Sequence, residues 1–105
     1  MVGIIGGGNI GRRVAEKVRC FGAQVQYYDS FRLPETQERA CGMTYVPLET
    51  LLATSDIVTL HVPLLESTRH MIGAAELAQM KTGAILINTA RGGLVDARAL
   101  AQAVR

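Results

Sequence analysis

Apolar residues fall into short continuous runs, separated by longer segments that are apolar on one side only. Val2-Gly3-Ile4-Ile5 is a β-rich run that stops at Gly6-Gly7-Gly8, with Gly11 close behind, so it reads as a buried strand and a tight turn. Ile10, Val14, Val18 and Phe21 then recur at helical spacing, with Arg12, Arg13, Glu16, Lys17 and Arg19 mostly opposite and Gly22 as the stop. Val25 to Tyr28 predicts a second strand ending at Asp29, Pro34 to Ala40 a short polar helix, and Met43 to Val46 a weak third strand. Pro47 opens a helix whose apolar side is Leu48, Leu51 and Leu52. Asp56 to Val62 is a fourth strand stopped by Pro63, and Ala74 to Met80 is a helix with Leu77 and Met80 turned inward. Ala84 to Asn88 is a fifth strand, and Asp96 caps a last helix running to Arg105.

Strand and helix thus alternate five times, and most strands are continuous rather than alternating apolar runs. Parallel strands covered on both faces have this signature. The fold class is α/β, a Rossmann-like doubly wound parallel sheet with expected strand order 3-2-1-4-5. The fifth strand is then an edge, and an apolar one, which invites pairing with other chains.

Composition narrows the functions. At 105 residues the chain is one domain at most, and 49% hydrophobic content excludes disorder. A net charge of +2 is too small to argue for nucleic acid or a membrane surface, and the absence of Trp leaves no stacking platform for bases. No apolar run is long enough to span a bilayer, and the first residues do not pattern as a secretory signal. Cys20 and Cys41 have neither metal nor redox spacing and read as packing residues, so no metal is expected and a reduced, cytoplasmic compartment is.

The chemistry begins at Gly6-Gly7-Gly8-Asn9-Ile10-Gly11, a G-x-G-x-x-G run after a strand and at the start of a helix. Gly6 permits the sharp turn. Gly8 has no side chain where a pyrophosphate must approach the backbone, and Gly11 lets the helix pack close to the strand. The helix N-terminus offers its free N–H groups to the phosphates. Asp29 stands eighteen residues after Gly11 at the end of the second strand, where a carboxylate accepts hydrogen bonds from both hydroxyls of an adenosine ribose. It repels a 2′-phosphate, so NAD is expected over NADP. Arg32 opposes that choice, since a nearby arginine can accept the 2′-phosphate.

The second half carries His61-Val62-Pro63-Leu64, Glu66-Ser67-Thr68-Arg69 and Asn88-Thr89-Ala90-Arg91-Gly92-Gly93-Leu94-Val95-Asp96, at the C-termini of the fourth and fifth strands. On these blocks the chain, from Val2 to about Val104, closely resembles the cofactor-binding domain of the D-isomer-specific 2-hydroxyacid dehydrogenases. The resemblance implies an NAD-dependent oxidoreductase that moves a hydride between the nicotinamide and a D-2-hydroxy or 2-keto acid. It implies that Asn9 and Ile10 meet the pyrophosphate through their backbone. Val62 and Pro63 would line the adenine side with Thr68 near them, and Thr89, Ala90 and Arg91 would lie against the nicotinamide. Arg91 would also be the catalytic arginine, its planar fork binding the substrate carboxylate and polarising the carbonyl. His61 ends a buried strand and reads as a structural or cofactor-lining residue. His70 reads as a loop residue, and Arg12 and Arg13 as a solvated helix face.

The family's mechanism also needs a proton-transferring His, a Glu that orients it and an Asp at the nicotinamide amide, all expected beyond Arg105. Its substrate domain is built from segments before Val2 and after Arg105. Residues 1–105 are therefore read as a partial NAD-binding domain that binds cofactor but has little or no turnover alone. The resemblance also implies a homodimer, built partly from outside this chain. Two other readings are a non-catalytic NAD(H)-binding or sensing module, and an unrelated user of the glycine fingerprint such as a methyltransferase. The Asn88–Asp96 block argues against the latter.

Overall fold

A computed structural model of the chain describes residues 1–62, 70–88 and 94–103. Five strands, β1 (Val2–Ile5), β2 (Val25–Tyr28), β3 (Met43–Tyr45), β4 (Ile57–Leu60) and β5 (Ile85–Asn88), form one sheet in the order β3-β2-β1-β4-β5. All four pairings are parallel, with Val2 opposite both Val25 and Ile57, and Ile57 opposite Ile85. The expected fold and strand order hold.

Five helices, α1 (Asn9–Arg19), α2 (Glu35–Cys41), α3 (Leu48–Thr54), α4 (Ala74–Gln79) and α5 (Ala97–Ala103), connect or follow the strands. Alternate residues of β1 feed two separate cores. Val2 and Ile4 join Ala15, Val25, Tyr27 and Met43 on the side of α1. Ile5 joins Leu51, Leu52, Val58, Leu60, Ile72, Leu94 and Val95 on the side of α3. A strand covered on both faces cannot alternate apolar with polar, which is why β1 is apolar throughout.

Several helix starts follow the sequence signals. Pro34 and Pro47 stand just before α2 and α3, where their carbonyls accept the first helical bonds from Glu38 and Leu51 at 3.0 Å. The Asp96 carboxylate accepts from the Arg98 and Ala99 amides at 3.0 and 3.4 Å, so it caps α5 as expected. β4 is shorter than predicted, although the His61 amide still donates to the Ile5 carbonyl at 2.7 Å.

One expectation about α1 is wrong. Ile10 and Phe21 do not face the sheet: they are 67% and 90% exposed. The buried line of α1 is Gly11 and Ala15, flanked by half-buried Val14 and Val18. Small residues let the helix axis approach β1, and the larger apolar residues at either end overhang it. Ile10 lies in the first turn and Phe21 beyond the last helical residue.

β5 pairs with β4 alone, and Ile85 and Ile87 are exposed on one face, so the edge is apolar as expected. A buried polar link also appears in the sheet. Gln26 Nε2 donates to both Thr54 Oγ1 and Ser55 Oγ at 2.8 Å, tying β2 to the end of α3.

Candidate functional site

The C-terminal ends of β1, β2 and β4 meet at the glycine loop. Gly6 has φ 116°, a conformation that L side chains rarely adopt, and a Cβ there would stand 2.4 Å from the His61 carbonyl oxygen. Its amide donates to the Tyr28 carbonyl at 2.8 Å. The loop is therefore squeezed between the ends of β2 and β4. Gly11 is needed for a different reason, because a Cβ there would lie 2.1 Å from the Gly6 carbonyl oxygen. This contact sets how closely α1 can seat against the loop.

Gly8 is the opposite case. It is exposed, and a Cβ there would meet nothing within 4 Å. It precedes α1, supplies no side-chain cap, and the first turn holds no acidic residue. The helix thus presents its partial positive charge to open space beside Gly8. Asn9 begins the helix, and its Oδ1 accepts from Arg12 Nη2 at 2.6 Å. Arg12 also donates to the Gly8 carbonyl and to Gln37 Oε1, each at 3.4 Å. It therefore links the loop to α2 while remaining on the partly solvated helix face. Sequence spacing carried no sign of this role, since Gln37 lies in another element.

Asp29 is bound into the same loop. Its Oδ2 accepts from the Gly7 amide at 2.7 Å, and its Oδ1 from the Phe31 amide at 3.1 Å. Each carboxylate oxygen keeps a further lone pair for another donor. The segment after Asp29 folds back, so that Leu33 packs 3.4 Å from where a Gly7 Cβ would lie. Val62 borders the loop from the other side, its Cγ1 being 3.0 Å from the Cβ position of Gly6. Half-buried His61 shares a 2.8 Å hydrogen bond through Nε2 with Thr59 Oγ1, and burial holds its pKa below the ordinary value. This suits a structural residue. Pro63, Thr68, Thr89, Ala90 and Arg91 lie outside the described residues.

Beside the loop is a polar cluster that the sequence did not reveal. Tyr27 is fully buried in β2, and its hydroxyl donates to Glu38 Oε2 and accepts from the Leu33 amide at 2.9 Å. Buried Glu38 also takes Arg32 in a two-pronged grip, Nε to Oε2 at 3.1 Å and Nη2 to Oε1 at 3.2 Å. The Arg32 guanidinium stacks over the Tyr45 ring at 5.1 Å. Arg32, then Tyr27, hold the Glu38 carboxyl below its usual pKa, while burial and then Glu38 push the Tyr27 phenol up to about 12. A buried phenol needs an acceptor, and that was the one available signal for this cluster.

Among the described residues no helix is long and apolar enough to cross a membrane. Nor, among them, do three His, Cys, Asp or Glu residues gather as metal ligands.

The whole chain, residues 1–105, matches the family described as D-isomer specific 2-hydroxyacid dehydrogenase, NAD binding domain. A glyoxylate reductase of Korarchaeum cryptofilum is 52% identical over 104 residues, covering 99% of this chain and 31% of that protein. A D-specific alpha-keto acid dehydrogenase of Enterococcus faecalis is 50% identical over 103 residues, covering 98% of this chain and 30% of the relative. Among solved structures, the NAD-complexed D-isomer specific 2-hydroxyacid dehydrogenase of Lactobacillus delbrueckii superposes with a TM-score of 0.91 at 48% identity. That match covers 98% of this chain and 31% of the other. The apo D-lactate dehydrogenase of Escherichia coli superposes with a TM-score of 0.92 at 35% identity, over 99% and 33% of the two chains. The chain spans about a third of the length of these relatives. With a strand-loop-helix cradle built as the glycine spacing requires and a family match along its full length, the chain belongs to the D-isomer-specific 2-hydroxyacid dehydrogenases, as their NAD-binding domain.

Proposed function

We propose that this chain holds NAD(H) for a dehydrogenase that interconverts a D-2-hydroxy acid and its 2-keto acid. The observation that carries the reading is the bond from the Gly7 amide to the Asp29 carboxylate, which fixes a ribose-binding acid beside a phosphate-binding loop. Three features suit the dinucleotide: the open space at Gly8, the uncapped start of α1 and the spare lone pairs of Asp29.

In this reading the backbone of Asn9 and Ile10 binds the pyrophosphate, and exposed Ile10 covers it from solvent. Gly6 and Gly11 fix the loop, Asp29 orients the adenosine ribose, and Val62, Pro63 and Thr68 form the adenine side. Thr89, Ala90 and Arg91 position the nicotinamide. Bound cofactor supplies the hydride acceptor or donor. Arg91 grips the substrate carboxylate with its planar fork and withdraws charge from the carbonyl, so orientation is its main contribution. The proton is expected to move through a His–Glu pair C-terminal to this chain, with the substrate domain and part of a homodimer interface also contributed from outside it. The protein works in the cytoplasm, without nucleic acid or membrane as partner.

Two assays test this. NADH should bind the chain more tightly than NADPH, and Asp29→Ala should narrow the gap. Tighter NADPH binding in the unaltered chain overturns the assignment. In the natural polypeptide, Arg91→Ala should abolish reduction of glyoxylate, pyruvate or hydroxypyruvate, with Arg91→Lys a weak substitute. Residues 1–105 alone should bind NADH without turnover, and turnover by them refutes the placement of the proton relay.

A further inference from the structure

We propose that Glu38 sets the preference for NADH over NADPH by holding Arg32 away from the place a 2′-phosphate would occupy. The inference rests on the cofactor reading above and asks what decides between two cofactors that differ by one phosphate.

Asp29 alone does not decide it. An arginine close to the strand-end acid can pair with a 2′-phosphate, and Arg32 is three residues on. Its backbone is well placed, lying between the Asp29 carboxylate bound at Gly7 and the Leu33 side chain packed against the same glycine. Its side chain goes elsewhere. Both prongs of the guanidinium end on Glu38, and its face lies on Tyr45 of β3.

The grip is anchored rather than casual. Glu38 is buried and is fixed at its other side by the Tyr27 hydroxyl, which the Leu33 amide orients in turn. The neighbouring cation on α2, Arg39, lies against Glu35 at 3.8 Å. A two-pronged pair with one partner immobilised gives up little side-chain freedom, unlike an ordinary surface ion pair. Glu38 therefore occupies the cation that could welcome a 2′-phosphate.

Glu38→Gln keeps an oxygen for the Tyr27 hydroxyl and removes the charge that holds Arg32. Titrating NADH and NADPH by their own fluorescence into the natural polypeptide and this variant gives the affinity ratio directly. The ratio should move toward NADPH by about two- to fivefold, the scale of one exposed ion pair, and the gain should shrink as salt is added. Arg32→Ala in the unaltered background should leave the ratio unchanged, but combined with Glu38→Gln it should erase the gain. A purely structural role for Glu38 would weaken both cofactors alike and leave the double variant no different from the single. If NADH binds and Glu38→Gln does not move the ratio, the inference is overturned and the cofactor reading stands. Weaker NADPH binding in Arg32→Ala alone, with NADH binding unchanged, also overturns it, because Arg32 must then already reach the phosphate. If Glu38→Gln fails to fold, as circular dichroism will show, Glu38→Asp, whose carboxylate is one methylene further from Arg32, takes its place and should move the ratio the same way, an unmoved ratio overturning the inference. Absence of NADH binding in the unaltered protein overturns the cofactor reading itself.

Discussion

The Asp29 carboxylate is bonded to the Gly7 amide at 2.7 Å, so the end of β2 and the glycine loop after β1 move as one piece. A hydrogen bond from a backbone amide to a charged carboxylate contributes about 1.5–3 kcal/mol. Asp29→Ala should therefore loosen the loop, apart from its effect on the proposed cofactor contact. Asp29→Asn keeps an acceptor for Gly7 and should retain most of the loop's order. Amide exchange at Gly7, compared across the two variants, should be fast in the first and slow in the second.

Gly11 tests how tightly α1 is seated. Its missing Cβ would stand 2.1 Å from the backbone of Gly6, which has no flexible end to yield. Gly11→Ala should cost about 1–3 kcal/mol by urea unfolding and shift the loop, despite the helix preference for alanine. Gly8→Ala should unfold at nearly the same urea concentration, because its Cβ would meet nothing, yet weaken NADH binding.

The Tyr27 phenol is pushed up to about 12 from an ordinary 10.0, so the folded state holds this proton more tightly than the unfolded state does. The contribution of the neutral phenol is whole below pH 10 and is lost as the pH rises toward 12. Absorbance at 295 nm should show one of the three tyrosines ionising only as the far-ultraviolet dichroism collapses. In Tyr27→Phe that late step should disappear. The variant should also be less stable at neutral pH, because the Leu33 amide loses its acceptor.

Ile85 and Ile87 project from the same face of an edge strand and are 55% and 40% exposed. Residues 1–105 alone should associate as concentration rises. Ile85→Thr with Ile87→Thr keeps β propensity and should return the chain to monomer in light scattering, with little change in unfolding midpoint. Undiminished association in the double variant would place the contact elsewhere.

The strand order and most helix boundaries were legible because they rest on local patterns: apolar runs, two prolines before helices, and Asp96 before α5. The orientation of α1 was not, since apolar periodicity points to the largest residues and this helix buries its smallest, Gly11 and Ala15. The glycine loop and Asp29 were legible through spacing alone. Arg12, Tyr27 and Glu38 were not, because their partners come from other elements or across a loop. Arg32 was read only as an arginine able to accept a 2′-phosphate, and its bond to the carboxylate six residues on was not legible for the same reason.

β1 lies between β2 and β4, and the second of these neighbours ends 32 residues further along the chain than the first. At a synthesis rate of about 5–20 residues per second, a β1–β2 pair waits roughly 2–6 s on the ribosome before β4 can cover its open side. During that interval Ile5, destined for the α3 core, has no lid. Of the five strands β1 is made first, yet its second side stays open until β4 arrives, so the nascent sheet should lean on chaperones in that window.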